Sequence, residues 1–282
     1  MQRAGRAVLI LFLAAPVPRL AGQSTPSQPR LYLTAFIGYR AGQPLWTLSN
    51  QPFAVLARSG DTAVVGSGQR DTLDLSRHLD PSFVVGASGT YFPHPHLGFQ
   101  GELAFLGMGL ESRCSIRQTQ PPDPTDIDPQ LCSSLNGQSV ATSAVSVSVG
   151  LVGRATAGKG VFPYAKADVG LIARTRGTIE MMGVYDVGNQ VGTATVVADR
   201  SPFNTSLHFT FGAGVAVSAG TGYQVWFEAR DVMTQLDRVN GQADPSDPSG
   251  SLFPPHTKHF FHNFVFAIGL DVVFEKQRGR RY

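Results

Sequence analysis

The side chains that could do chemistry in this chain are first of all its histidines. His94 and His96 lie in the segment FPHPHLG, where two imidazole rings could chelate a metal ion. No third ligand accompanies them in this proline-rich turn, so we expect both rings to be solvated. Three more histidines follow at a spacing of three, which suits one face of a helix but not of a strand: His256, His259 and His262.

The acids and the remaining motifs give no clearer signal of chemistry. Asp123, Asp126 and Asp128 could bind a hard cation, but they lack the spacing and the glycine of an EF-hand loop. The chain contains no GxSxG turn, P-loop, dinucleotide fingerprint or HExxH sequence. We therefore predict no catalytic residue, no metal site and no cofactor.

The two cysteines, Cys114 and Cys132, flank a loop rich in proline and aspartate. In an exported protein such a pair most simply forms one loop-closing disulfide, the alternative being two free thiols. Export is predicted by the N-terminus, because Arg3 and Arg6 precede the apolar run Ala7–Val17 and small residues follow near Gly22. This pattern is typical of a cleaved signal peptide over residues 1–22.

Charge gives no indication of a nucleic-acid partner. The formal net charge is +3, and removal of a signal peptide containing three arginines would bring it to zero. Charged residues make up only 15% of the chain, and the mean hydropathy is −0.02. The remaining basic cluster is the tail after Phe274, with Lys276, Arg278, Arg280 and Arg281, which we interpret as a solvated end.

The positions of these residues depend on strands, because apolar residues alternate with small or polar ones in eight segments. We predict strands over Leu31–Tyr39, Ser82–Tyr91, Leu97–Leu110, Val140–Arg154, Val161–Arg174, Thr205–Ala219, Tyr223–Val232 and Phe260–Phe274.

The final strand shows the pattern most clearly. One of its faces is large and apolar and has phenylalanine at both ends, as a lipid-facing strand between two aromatic girdles would have: Phe264, Phe266, Ile268, Leu270, Val272 and Phe274.

The connections between the predicted strands alternate strictly between long and short. Links after the second, fourth and sixth strands are short, whereas the other links, Arg40–Pro81, Glu111–Ser139, Thr175–Asn204 and Met233–His259, are long. This alternation places four long loops at one end, and three short turns with both termini at the other. We expect the third long loop to contain a hairpin and the fourth to be mobile.

In this strand pattern, in PYAKADVGL at 163–171, in WFEAR at 226–230 and in the final strand, the chain resembles the small outer-membrane β-barrels of the OmpA/OmpX-like type. The resemblance implies an all-β fold, an eight-stranded antiparallel up-and-down transmembrane barrel over residues 31–274. A short basic periplasmic tail, residues 275–282, then follows Phe274, whereas many family members end at the terminal phenylalanine that the assembly machinery recognises.

If lipid surrounds this barrel, the polar faces of its strands point inward. We predict an interior polar network that fills the barrel by packing: Gln100, Glu102, Lys166, Asp168, Glu228, Arg230 and Asp271. A soluble lipocalin-like barrel, with its apolar faces inward, is the alternative fold.

The predicted function is that of an outer-membrane scaffold that displays extracellular loops. A narrow passive pore and an outer-membrane lipid-modifying enzyme are the alternatives. Lipid A deacylases of this membrane pair a histidine with a serine, but Thr210 occupies the matching position beside His208. We therefore expect a non-enzymatic monomer whose partners are outer-membrane lipid, the assembly machinery and an unidentified loop ligand.

Overall fold

The structure, a computed structural model, describes residues 30–59, 62–117, 127–155, 160–187, 190–199, 205–220, 222–240 and 253–275, without the side chains of 54–59, 62–70, 190 and 275. The predicted signal peptide and residues 276–282 of the tail lie outside these ranges. The described elements are β1 (Arg30–Arg40), β2 (Gln43–Ser59), β3 (Thr62–Leu79), β4 (Ser82–Phe92), β5 (Leu97–Arg117), α1 (Asp128–Leu135), β6 (Ser139–Arg154), β7 (Val161–Arg174), β8 (Met181–Val187), β9 (Gln190–Val197), β10 (Thr205–Gly220), β11 (Tyr223–Val239) and β12 (His256–Glu275).

Eight strands form a closed ring of antiparallel neighbours in the order β1, β4, β5, β6, β7, β10, β11 and β12. The ring closes where β12 returns to β1, with pairs running from Arg30↔Glu275 to Arg40↔Val265. Closure leaves no open edge on these strands, because each has a hydrogen-bonded neighbour on both sides. The predicted eight-stranded up-and-down barrel is thus confirmed.

The predicted strand boundaries hold within one residue for β1, β4, β6, β7 and β10. Three strands are longer than predicted at the end of the long connections: β5 reaches Arg117, β11 reaches Val239, and β12 begins at His256. The predictions of loop at these positions were wrong, because the strands find partners beyond the ring. The extension of β5 pairs with β3, and the extensions of β11 and β12 pair with each other.

The connections are sorted by length, as the sequence predicted, but the long ones are largely structured. The three short connections, after Phe92, Arg154 and Gly220, lie at the end that carries Arg30 and Glu275. At the other end, the predicted loop Arg40–Pro81 contains the β2–β3 hairpin, which continues the sheet beyond the ring. The hairpin predicted in the third long loop is confirmed as β8–β9.

Side chains alternate between two environments along every strand of the ring. On β12, Phe264, Phe266 and Ile268 are exposed on the outside, whereas Val265 and Ala267 are buried inside. The outward side chains are mostly large and apolar on the other seven strands too, for example Leu33, Phe99 and Val149. The apolar face of β12, which we predicted to face lipid, therefore points outward. Val272 is the half-buried member of this face.

The structured long connections form a second compact region, which we call the loop head: β2, β3, β8, β9, α1 and the extensions of β5, β11 and β12. Its core is apolar and almost completely buried, with Leu75, Leu135 and Val196 inaccessible to solvent. This core is continuous with apolar side chains inside the adjacent end of the barrel, such as Leu106 and Ile172.

Helix α1 and the residue after it contact both β8 and the extension of β5. Leu131 packs against Gly183 of β8 so closely that an added Cβ would overlap the leucine side chain. Ser134 Oγ accepts a 2.8 Å hydrogen bond from the Val184 amide, and Asn136 Oδ1 accepts one of 2.8 Å from the Cys114 amide. Over the described ranges, no helix has the length and apolar character needed to cross a membrane.

Candidate functional site: the barrel interior

The centre of the barrel contains a cluster of buried ion pairs, which we call the ionic belt: Glu102, Lys166, Asp168, Glu228 and Arg230. The Lys166 ammonium lies 2.8 Å from Glu102 Oε2, 3.2 Å from Glu228 Oε1 and 3.7 Å from Asp168 Oδ2. The Arg230 guanidinium lies 2.6 Å from both Glu102 Oε1 and Glu228 Oε1. Each cation thus bridges carboxylates on different strands.

The belt is isolated from solvent, which makes its pairing important. The side chains of Lys166, Glu228 and Arg230 are 2–3% exposed, and that of Glu102 is 9% exposed. At this burial an unpaired charge would cost several kcal/mol, so the charges must be compensated within the barrel. Two neutral neighbours contribute hydrogen bonds: Tyr164 Oη donates to Glu228 at 2.8 Å, and Gln100 Nε2 donates to Glu102 at 3.3 Å.

Glycines on the inner faces make room for the belt and its neighbours. A Cβ atom on Gly150 would overlap the Asp168 carboxylate, and one on Gly170 would overlap the His208 ring. Strand pairing places these residues beside each other, because Asp168 is the register partner of Gly150, and His208 that of Gly170. The small residues that alternate with apolar ones in the sequence therefore define the shape of the interior.

The seven side chains that the sequence assigned to the interior all point inward, but they do not form one network. Six of them belong to the ionic belt or contact it, and Asp271 stands apart. Its carboxylate accepts a 2.6 Å hydrogen bond from the Thr34 hydroxyl and is not joined to the belt by an ion pair. The sequence analysis did not single out Tyr164 or Thr34, although each occupies an inward position of its strand's alternation.

Between the belt and the short turns lies a cavity of about 70 Å³. Aromatic rings and polar groups line it together, including Tyr32, Phe92 and Trp226. Arg154 sits at the end of the cavity nearest the turns, with its guanidinium 4.0 Å from the centre of the Phe92 ring. Its Nη1 donates a 2.7 Å hydrogen bond to Tyr32 Oη, and its Nε donates one of 2.5 Å to the Pro95 carbonyl.

On the other side of the belt the interior is mainly apolar. Buried side chains from several strands meet here, among them Val84, Leu106, Met108, Ile172 and Val265. Three buried polar side chains lie among them: Arg40, Thr234 and Asn263. The interior is therefore layered from one end to the other: a polar cavity, the ionic belt, a mainly apolar layer that contains Arg40, and then the core of the loop head.

The predicted disulfide between Cys114 and Cys132 is present, and it joins the extension of β5 to α1. Both cysteines are buried in the core of the head. Asp128, the first residue of α1, is also buried, whereas Asp123 and Asp126 lie outside the described residues.

The histidines do not converge. His94, His96, His256, His259 and His262 are exposed, and His262 Nδ1 lies 2.6 Å from Asp231 Oδ2 on the outer wall. His208 and Thr210 are both buried inside the barrel on β10. Over the described part of the chain, no three histidine, cysteine or acidic side chains are grouped closely enough to hold a metal ion.

Comparisons with known proteins add a likeness of fold. No protein-family model and no curated protein matches the chain. Among solved structures, the outer membrane protein OprG from Pseudomonas aeruginosa matches with 10% identity and a TM-score of 0.43, over 88% of this chain and 97% of that one. Neisserial surface protein A matches with 10% identity and a TM-score of 0.39, over 86% and 97%.

The outer membrane protein AlkL also matches, with 12% identity and a TM-score of 0.34, over 94% of this chain and 99% of that one. All three of these matches have TM-scores below 0.5. Likeness at this level concerns the fold alone, and the assignment of eight strands rests on the pairing described above.

Proposed function

We propose that the protein is an outer-membrane β-barrel that displays its loop head at the cell surface and catalyses no reaction. The observation that supports this is the apolar band on the outside of the ring, where Phe83, Val149 and Phe266 are 62–66% exposed. In water a continuous apolar surface around a barrel would favour aggregation, whereas lipid is its natural solvent.

The height of the band fits a membrane. On β12 the outward apolar residues run from Phe264 to Phe274, which are ten residues apart. With about 3.3 Å per residue and a strand tilt of about 40°, this stretch rises about 25 Å. That height is about the thickness of the apolar band of known outer-membrane barrels.

The proposal includes export and assembly. Residues 1–22 would direct the chain across the inner membrane and be removed, and residues 275–282 would remain in the periplasm as a basic tail. Because the ring closes within one chain, the protein needs no second copy to satisfy its strand edges, so we propose a monomer inserted by the outer-membrane assembly machinery.

The loop head supports a display function rather than simple closure of the barrel. Its disulfide, its helix and its buried core give the long connections a defined shape outside the membrane. Binding residues are often found on loops that a rigid scaffold positions. We propose that the head binds an extracellular partner, whose chemistry these residues do not specify.

Membrane fractionation and gel mobility test the proposal together. Expressed in a Gram-negative host, the protein should fractionate with outer membranes, and unboiled samples should migrate differently from boiled ones on an SDS gel. A protein found soluble in the periplasm, without a heat-dependent shift, would overturn the proposal in favour of a lipocalin-like barrel.

A narrow passive pore is the second candidate, and the cavity at the short-turn end is the observation that favours it. The layer of buried side chains above the belt opposes conduction, because packed side chains fill the interior of a small barrel. We expect no single-channel current from folded protein in planar bilayers. Steady channel openings that persist in a sample free of other porins would establish the pore instead.

A lipid-modifying enzyme is the third candidate. His208 is buried behind the barrel wall, and its neighbour on the inner face is a threonine, so neither side chain is presented to lipid. We expect the lipid A mass spectrum to stay the same on expression of the wild type and of His208→Ala. A mass change that only the wild type produces would assign the protein to this class.

A further inference from the structure

Asp271 is a buried acid of the barrel interior that does not belong to the ionic belt. It is 8% exposed, and it lines the cavity between the belt and the short turns. Its carboxylate accepts a 2.6 Å hydrogen bond from the Thr34 hydroxyl, and Trp226 lines the same cavity. Among the residues that the structure describes, no lysine or arginine forms an ion pair with it.

The two cations that line the same cavity are engaged elsewhere. Lys166 is held by Glu102 at 2.8 Å and by Glu228 at 3.2 Å. Arg154 is held by the Pro95 carbonyl and the Tyr32 hydroxyl. Asp271 is therefore a buried carboxylate beside a cavity, without a cation of its own, and burial makes such a charge costly unless it is compensated.

Strand register surrounds this carboxylate with neutral oxygen atoms. Ser88 pairs with Thr34, Thr34 pairs with Asp271, and Asp271 pairs with Gln224, so these four residues form one row across β4, β1, β12 and β11. All four line the cavity. Carboxylate, hydroxyl and amide oxygens are the ligands that hard cations prefer.

The volume of the cavity and the charges in its wall restrict which cation can bind there. A volume of about 70 Å³ exceeds the roughly 10–15 Å³ that one water needs, so an ion fits together with some of its water. Only one carboxylate is free for the ion, and Lys166 lies in the same wall, which disfavours a second positive charge on the ligand.

We propose that this cavity binds one monovalent cation, Na⁺ or K⁺, between the Asp271 carboxylate and the oxygen atoms of Thr34, Ser88 and Gln224. The ion neutralises Asp271 and holds β1 and β12, the two strands that close the ring. The site does not depend on what the loop head binds.

The tryptophans allow a direct test, because the chain has two of them and Trp226 lines the same cavity as Asp271. Trp46 lies in the loop head, so the variant Trp46→Phe leaves Trp226 as the single reporter. The folded barrel in a non-ionic detergent is titrated with NaCl or KCl at constant ionic strength, with N-methylglucamine chloride as the balancing salt. We expect a saturable change in fluorescence with at least one of the two salts.

Two variants assign that change to the site. Asp271→Asn keeps the shape of the side chain but removes the charge, and should abolish the saturable response. Asp231→Asn removes one negative charge from the outer wall, where Asp231 pairs with His262, and should leave the response as in the parent. If Asp271→Asn does not fold, Ser88→Ala should raise the half-saturating concentration several-fold.

Thermal unfolding followed by circular dichroism gives an independent readout. A ligand that binds only the folded state raises the midpoint of unfolding. NaCl or KCl should raise that midpoint above its value in N-methylglucamine chloride for the parent and for Asp231→Asn, but not for Asp271→Asn. A linear fluorescence response shared by all variants, or equal midpoints in all three salts, overturns the proposal.

Discussion

The barrel and the loop head solve the same burial problem in opposite ways. In the barrel, Lys166, Glu228 and Arg230 are buried inside, while Phe99, Val149 and Phe266 are exposed outside. In the head, Leu75, Leu131 and Leu135 are buried, while charged groups such as Arg113 and Arg117 lie at the surface. The two regions therefore place apolar side chains on opposite sides of their walls, outside in the barrel and inside in the head, and the change lies at the end of the ring.

The largest expected effect breaks the ionic belt. Lys166→Met leaves Glu102 and Glu228 without one of their cations inside the barrel, and loss of one partner of a buried pair costs about 3–5 kcal/mol. The matched change in the head is Arg113→Met, which removes a pair whose arginine is 60% exposed. That change should cost at most about 1 kcal/mol.

Urea unfolding of vesicle-inserted protein measures both changes, with Trp226 reporting on the barrel and Trp46 on the head. Single-tryptophan backgrounds separate the two signals. Equal losses of stability for the two variants would show that the belt is solvated rather than buried, and would remove the contrast between the regions.

A smaller effect on stability should come from replacing one exposed valine of each region by arginine. Val149 is 62% exposed on the barrel wall, and Val191 is 72% exposed on the β8–β9 hairpin. Arginine on the lipid face costs about 2–4 kcal/mol near the bilayer centre, whereas a surface substitution in water stays within about 0.5 kcal/mol.

The readout for Val149→Arg and Val191→Arg is the free energy of unfolding in vesicles, together with the yield in the outer membrane. The first variant should lose stability and yield, and the second should match the wild type. If both behave like the wild type, lipid does not surround the wall at Val149.

Loss of the disulfide should affect the head alone. The bridge closes a loop with a sequence separation of 18, and the entropy of such a loop corresponds to about 3 kcal/mol. Cys114→Ser combined with Cys132→Ser should therefore speed proteolysis within residues 111–139, while the heat-dependent gel shift of the barrel persists.

Reduction of the wild type with a thiol reagent should reproduce the behaviour of the double variant. Ser115→Ala combined with Ser133→Ala is a matched control next to the same bridge, and should keep the resistance of the wild type. If the gel shift disappears together with the disulfide, the head and the barrel form one folding unit.

The smallest expected effect on stability comes from adding a methyl group to a glycine on the inner face or on the outer face of the barrel wall. A methyl group on Gly150 would overlap Asp168 and the backbone of Ala167, whereas one on Gly101 meets nothing within 4 Å. Gly150→Ala should cost about 1–3 kcal/mol by overpacking. Gly101→Ala should be neutral or slightly stabilising, because alanine restricts the unfolded chain. Unfolding midpoints in urea compare the two, and a larger loss for Gly101→Ala would contradict the assignment of faces.

Much of the barrel could be predicted from the sequence, because its signals are local. The alternation of period two set both boundaries of β7 at Val161 and Arg174, and it assigned Phe264 and Phe266 to the outer face. The eight alternating segments set the number of strands, and the strict sorting of short and long connections indicated the end that carries the termini. The pair of cysteines left only one intrachain disulfide to form.

The head could not be predicted in the same way, because its strands depend on distant partners. β5 continues to Arg117 because β3 pairs with it. The alternation of residues over Thr72–Leu79 does not indicate which strand is the partner. Helix α1 is eight residues long, and an isolated helix of that length is unstable in water, so its formation depends on packing against the β8–β9 hairpin.

By itself, then, the sequence determined which residues share a face of each strand, since successive side chains on a strand point to opposite sides whatever its neighbours are. Only the tertiary structure decided which of these residues meet. Lys166 contacts Glu102 and Glu228 because the strand order and register bring β7, β5 and β11 around one interior. The same register leaves Asp271 beside Thr34 and a cavity, with no described lysine or arginine in an ion pair with it, because charge pairing inside a barrel depends on its closure rather than on distance along the chain.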